Sequence, residues 1–318
     1  MRCKLDDLTD QPLARRCILC ANGGPFELVY RENGQASGLF RCGRCGLIFR
    51  DPQPDDAALE RSYYHDPAFT AMLVGPLRSL TLERASQHLS RLQRQGLIRP
   101  GMKILDVGCS SGAWLEVARA HGACVEGIEV GEATAAEARR RGLPVHTGTF
   151  EECLQSLAQP KYDLITFWDV LEHLRDPRLE LKLARELLVA DGKVAATFPN
   201  VDGWYPKATY KLLARRTGVW EYPEPLHLYE FSPATARGLL CASALDPLVI
   251  KTIPTPFFYY RETTLSLCRL GRGIRGLSLR LAFELLHITI YPLARTCGRD
   301  NSLFVVAAPG DAASTRWT

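Results

Sequence analysis

The chain has 318 residues, 46% hydrophobic and 23% charged, enough apolar content to fill a sizeable core, which excludes collagen, disorder and miniprotein scaffolds. Lys and Arg number 39 against 35 Asp and Glu, a net +4, so there is no global footprint for a polyanionic partner and any basic surface is local. Eleven cysteines are too few for a secreted disulfide scaffold and odd in number, favouring reduced thiols and a metal site.

The opening MRCKLDDLTD has no apolar leader, and no run is long enough for a membrane span, so a cytoplasmic address is expected. Cys17-Ile-Leu-Cys20 and Cys42-Gly-Arg-Cys45 flank strand-like pieces at Phe26–Tyr30 and Gly38–Arg41 and read as two knuckles on a small β framework. Asp51-Pro-Gln-Pro-Asp-Asp56 reads as a linker, since neither prolines nor acids continue a helix or a central strand. Leu77, Leu80, Leu89 and Leu92 recur at helical spacing among Arg78, Arg84, Arg91 and Arg94, predicting a helix from Pro76 to Gln95.

From Lys103 onward, apolar runs alternate with helical stretches. Ile104–Val107, Val125–Ile128, Val145–Thr147, Asp163–Phe167 and Val194–Phe198 are the strand candidates. Ala113–His121, Glu132–Arg141, Glu151–Ala158 and Pro177–Val189 are the helix candidates between them. This alternation predicts an α/β fold with a doubly wound parallel sheet, closed by Leu248–Ile253 and Leu303–Ala308. The expected organisation is a zinc-binding module and linker over 1–56, a helical lead-in over 57–100, the main domain over 101–255 and a closing helix and strand over 256–318.

Two further stretches bear on an acceptor. Val201–Trp220 interleaves Trp204, Tyr205, Tyr210 and Trp220 with Lys207, Lys211, Arg215 and Arg216, reading either as an aromatic lid or as an amphipathic helix docked on the core. Arg269–Arg280 is basic and runs into the apolar Leu281–Ala294. That length favours a buried helix, with peripheral membrane contact through 269–294 as the competing reading.

Two CxxC pairs separated by 21 residues match a four-thiolate structural zinc site of Cys17, Cys20, Cys42 and Cys45. Such a closed site has no open coordination position, and its binding energy goes into folding a module too small to hold itself. Cys109, Cys124, Cys153, Cys241 and Cys268 lack partners at metal spacing and read as core residues.

Ile104-Leu-Asp106-Val-Gly108-Cys109-Ser-Ser-Gly112 lies where a strand gives way to a helix, so its glycines let a ligand approach the backbone. The loop lacks G-x-G-x-x-G, and Asp106 would repel a pyrophosphate, whereas an ammonium-bearing ligand fits. Glu129 ends the next strand, 23 residues on, where an acid accepts from both ribose hydroxyls.

These residues resemble the class I S-adenosylmethionine-dependent methyltransferases. The resemblance is carried by LDVGCSSG (105–112), VEGIEV (125–130), TGTFEE (147–152), YDLITFWDVLEHLRDP (162–177), ADGKVAATFPN (190–200) and LHLYEFSPATARGLL (226–240). WDVLEHL and HLYEFS are similar to the ubiquinone-biosynthesis-type O-methyltransferases, while the knuckles are similar to those of sugar-nucleotide C-methyltransferases, whose extra C-terminal domain this chain is too short to carry. The resemblance implies a Rossmann-like sheet of seven strands with S-adenosyl-L-methionine as cofactor. It further implies that Asp106, Gly108, Cys109 and Gly112 hold the methionine end, Glu129 the ribose, Phe150 and Glu151 the adenine edge, and that Trp168 and Asp169 line the pocket. Thr149 stands where the family often has an acid.

Methyl transfer from a sulfonium needs alignment and, for a hydroxyl acceptor, removal of a proton. His173 after the fourth strand, and His227 with Tyr229 in the Pro- and aromatic-rich segment, are the candidates, since imidazole titrates near neutrality. The remaining histidines (His65, His88, His121, His146, His287) read as surface or packing residues. The leading reading is methylation, at oxygen, of a sugar-, lipid- or quinone-like small molecule. An RNA methyltransferase gripping its substrate through the zinc ribbon, a cofactor-binding scaffold and a dinucleotide oxidoreductase are the alternatives. The RNA reading lacks both N-P-P-[FY] and a Pro-Cys nucleophile.

Overall fold

The computed structural model describes residues 16–31, 37–54, 75, 77–158, 161–204, 227–254, 281, 285 and 288–310. Cys3, Cys268, the linker beyond Pro54, the aromatic segment from Tyr205 to Trp220 and the basic stretch before Leu281 lie outside them.

Three short strands follow the first knuckle: β1 (Phe26–Arg31), β2 (Gly38–Cys42) and β3 (Ile48–Asp51). The main sheet comprises β4 (Lys103–Val107), β5 (Cys124–Glu129), β6 (Val145–Thr147), β7 (Tyr162–Trp168) and β8 (Leu188–Pro199), with β10 (Leu245–Ile253) and β11 (Ser302–Pro309) after the two-residue β9 (Tyr229–Glu230). Its order is β10-β11-β8-β7-β4-β5-β6. β4 to β8 are parallel, and β11 lies antiparallel to both neighbours. The strand order reverses on either side of β4, and in an open α/β sheet ligands bind at that switch point, beyond the carboxyl ends of the strands.

Both faces are covered, which is why the central strands read as near-continuous apolar runs. On one face α1 (Arg78–Arg94), α2 (Ala113–Ala120) and α3 (Glu132–Arg140) pack Leu92, Trp114, Leu115 and Ala135 against Ile104, Leu164 and Phe304. On the other, α5 (Pro177–Leu187) and α6 (Pro233–Ala242) pack Leu181, Ala184 and Leu239 against Val107, Ile165 and Val305. Asp176 caps α5 and a Ser232–Thr235 box caps α6, each followed by a proline in the first turn.

Several elements depart from expectation. The helix expected over Glu151–Ala158 is one turn, α4 (Phe150–Cys153), followed by a 3-10 turn. The helix expected to run to Val189 stops at Leu187, and β8 begins at once. Leu281, Leu285, Ile288 and Leu293 are exposed and only Ala294 of the described residues there is buried, in place of the core helix expected over 281–294. Cys124 is exposed, unlike the buried Cys109 and Cys153.

The cysteine module is fused to the rest. β3 pairs antiparallel with β9, Ile48 opposite Glu230 and Phe49 opposite Tyr229, giving a four-stranded sheet β1-β2-β3-β9. Leu47 and Phe49 share one core cluster with Phe198, Leu228 and Phe231. No described helix is long and apolar enough to cross a membrane.

Candidate active site

The turn after β4 is shaped by backbone that side chains resist: Gly108, Ser110 and Gly112 have φ of 74°, 49° and 81°. A Cβ on Gly112 would lie 2.3 Å from Leu143 Cδ1, and one on Gly108 2.5 Å from Val170 Cγ2. The amides of Gly108 and Cys109 donate to Ile128 O at 2.8 and 2.9 Å, stapling the turn to β5. Cys109 turns its buried thiol inward over Gly127, whose Cβ would meet Cys109 Sγ at 2.7 Å. Cys109 therefore offers its backbone to the crevice, and Gly127, not singled out from the sequence, makes the close approach feasible.

Asp106 is buried and its Oδ1 accepts from Thr166 Oγ1 at 2.6 Å. Burial pushes its carboxyl up to about 8, with Glu129 adding and the Thr166 bond opposing. Glu129 is fixed by two amides, Ser110 N and Gly131 N, each donating at 2.8 Å. Burial raises its carboxyl too, and those amides resist the shift. Two buried acids on neighbouring strand ends are an acceptor set suited to an ammonium and a vicinal diol.

Phe150 is buried with its ring edge-on to Phe167, whereas Glu151 is exposed. Thr149 caps α4 reciprocally with Glu152, which accounts for threonine where an acid is often found. Trp168, at the end of β7, stacks on His88 with centroids 4.1 Å apart and meets the edge of Trp114 at 5.4 Å. Its buried Nε1 has no hydrogen-bond partner among the described residues. Asp169 (φ 56°) accepts from Thr197 Oγ1 at 3.2 Å and pairs with Arg84 of α1. His88 is thus no surface residue: burial, then Arg84 and Arg91, hold its imidazole well below the ordinary range.

Beyond Asp169, Glu172, His173 and His227 converge, with one ligand atom from each within 4.8 Å of the others. The two imidazole centroids lie 4.9 Å apart. His227 Nδ1 is 3.1 Å from Oε1 of the buried Glu230. Glu172 is 1% exposed, and no other described residue hydrogen-bonds to either of its carboxylate oxygens. Burial pushes it up to about 8, with Asp169 adding and His227 opposing. The Tyr229 hydroxyl donates to Arg175 O at 2.7 Å and accepts from Gln53 Nε2 at 3.1 Å, so it braces its segment.

That segment hangs on the cysteine module. Buried Arg50 donates through Nε to His227 O at 3.1 Å and through its amide to Leu228 O at 2.9 Å. In the module, Cys17, Cys20, Cys42 and Cys45 bring all four sulfurs within 4.8 Å of one another, with Cys17–Cys45 at 3.4 Å and Cys20–Cys42 at 3.5 Å. Zinc–sulfur bonds of about 2.3 Å in a tetrahedron separate sulfurs by about 3.8 Å, so the donor set and spacing fit zinc. The knuckles repeat one pattern: Ala21 N donates to Cys17 O and Gly46 N to Cys42 O, both at 2.9 Å and both from positive φ. No repeat is visible in the sequence because only the cysteines coincide.

A family model described as a methyltransferase domain matches residues 80–243. A ubiquinone biosynthesis O-methyltransferase of Idiomarina loihiensis is 30% identical over 131 residues, 35% of this chain and 54% of that protein. One from Yersinia enterocolitica is 36% identical over 110 residues, 32% of this chain and 44% of that protein. The chain thus spans about half or less of the curated relatives it matches. A solved structure described as a putative sarcosine dimethylglycine methyltransferase from Galdieria sulphuraria aligns with TM-score 0.50 at 17% identity, covering 74% of this chain and 88% of that one, a likeness of fold.

Proposed function

The chain belongs to the methyltransferase-domain family of the class I S-adenosylmethionine-dependent fold, and from that premise we propose that it methylates a hydroxyl of a small-molecule acceptor. The observation that carries this reading is the pairing of two buried acids, Asp106 and Glu129, over the Gly108–Gly112 turn, with two imidazoles beyond Asp169 on the same sheet edge. When bound, S-adenosylmethionine supplies a methyl group on a sulfonium, an activated carbon that needs alignment more than acid catalysis.

Asp106 holds the ammonium, Glu129 the ribose hydroxyls, and Phe150 with Glu151 the adenine. Trp168 and Asp169 wall the pocket, fixed from behind by His88 and Arg84. His173 and His227 face the acceptor and manage its proton, and Tyr229 positions His227. The O-methyltransferase relatives support oxygen as the nucleophile. The four cysteines hold a structural zinc.

The test is calorimetric titration with S-adenosylmethionine, S-adenosylhomocysteine and NAD. We expect the first two to bind and NAD not to. Each of Asp106→Ala and Glu129→Ala removes charged hydrogen bonds worth about 1.5–3 kcal/mol, roughly 10- to 150-fold in affinity. Wild-type binding of S-adenosylhomocysteine in both variants would overturn the site assignment.

A further inference from the structure

We propose that Glu230 is a positioning residue for methyl transfer: its carboxylate keeps the neutral His227 ring protonated on Nδ1, which leaves the lone pair on Nε2 to take the acceptor's proton. The purpose of this lock rests on the methyl-transfer reading, whereas the lock itself does not.

Glu230 is 1% exposed, and its Oε1 lies 3.1 Å from His227 Nδ1. An ionised carboxylate only accepts, and a neutral imidazole has one donor and one acceptor nitrogen. The nitrogen that meets Glu230 therefore carries the hydrogen, and the basic nitrogen is the one across the ring. Both partners are placed by one strand of the cysteine module. Glu230 pairs opposite Ile48 of β3. Two residues further along β3, buried Arg50 donates through Nε to His227 O at 3.1 Å and through its amide to Leu228 O at 2.9 Å. Leu228 N in turn donates to Glu172 O at 2.8 Å, which ties the same stretch to the end of β7.

The charged groups around the ring differ in sign. Glu230 and the buried Glu172 favour the imidazolium, and His173, with its ring centroid 4.9 Å away, opposes it when charged. As the acceptor's O–H bond breaks, its proton passes to Nε2 and the oxygen lone pair forms the bond to the methyl carbon. The carbon–sulfur pair returns to sulfur, and His227 afterwards releases the proton to solvent. Glu230 steadies the imidazolium formed in between and takes no proton itself, the part an acid plays behind a catalytic histidine.

The experiment follows His227 by nitrogen NMR in full-length, zinc-loaded protein labelled at the histidine nitrogens, its signals assigned through their loss in His227→Gln. In the neutral ring we expect a protonated Nδ1 and a bare Nε2. Glu230→Gln keeps an accepting oxygen and loses the charge, so the tautomer should stay while the titration midpoint falls by roughly one pH unit or more. Glu230→Leu removes the acceptor, and the form protonated on Nε2 should appear. S-adenosylhomocysteine affinity in each variant reports that the fold is intact. The expected tautomer without S-adenosylhomocysteine binding in the wild type would leave the lock standing and remove methyl transfer. A wild-type ring protonated on Nε2, an unmoved midpoint in Glu230→Gln, or an unchanged tautomer in Glu230→Leu would overturn the proposal.

Discussion

At the proposed cofactor end of the sheet edge, Asp106 and Glu129 sit on adjacent strands, fixed by the Ser110 and Gly131 amides of the turns that follow those strands and by Thr166 of the neighbouring β7. At the acceptor end, Glu172 and His173 follow β7, His227 lies just ahead of β9, and the strand that holds β9 belongs to the cysteine module. The first end is preorganised by backbone amides of the turns after β4 and β5, whereas the second is assembled across the chain. The two ends are therefore expected to fail independently, the acceptor end following the cysteine module and the cofactor end its own glycines.

The strongest way to break this comparison is to remove the zinc proposed for the four cysteines, by chelation or by Cys42→Ser. Structural zinc contributes about 10–16 kcal/mol in isolated small modules, so release of β3 should free the backbone of 227–231. Hydrogen exchange there should rise and turnover collapse, with S-adenosylhomocysteine affinity retained. If affinity falls in step with turnover, the two ends are one unit. Gly112→Ala makes the converse cut. Its Cβ would meet Leu143 Cδ1 at 2.3 Å at a φ of 81°, and overpacking with left-handed strain costs about 2–4 kcal/mol. Thermal unfolding should show that loss, with weakened cofactor binding and unchanged hydrogen exchange over 227–231; a neutral substitution would refute the packing role of this glycine.

What was legible in the sequence follows the same division. The Asp106–Gly112 turn, Glu129 and both CxxC pairs have partners nearby in the chain, so spacing alone reports them. The pairing of β3 with β9 is two residue pairs long and spans most of the sequence, which leaves no local periodicity to detect. Buried Arg50 inside Ile48–Asp51 reads as an ordinary surface charge. His88 left a usable signal, since Ala85, His88 and Leu92 lie on the buried stripe of α1, yet histidine alone does not announce a stacking partner. Glu230 stands three residues after His227, a spacing that acquires meaning only once both are seen to face each other.

The smallest expected effect separates the ends by pH. In the ligand-free protein, burial holds the Asp106 carboxyl near 8 against an ordinary 3.8. The folded state therefore binds more protons than the unfolded chain between those values, and Asp106 contributes stability that declines as pH rises across that window. An arriving ammonium reverses the balance, because a cation beside a carboxyl favours its charged form. Binding then releases a proton, and affinity for S-adenosylhomocysteine should fall roughly tenfold per pH unit below about 8. At still higher pH the ligand's own amino group loses its charge, so the profile falls again on the alkaline side. Thr166→Val deletes the hydrogen bond that lowers the carboxyl and should move the acid limb to higher pH, whereas Glu172→Gln should leave the limb in place. Flat affinity from pH 6 to 8 would mean that Asp106 is already ionised in the empty site and that its charge is balanced by something other than the ligand.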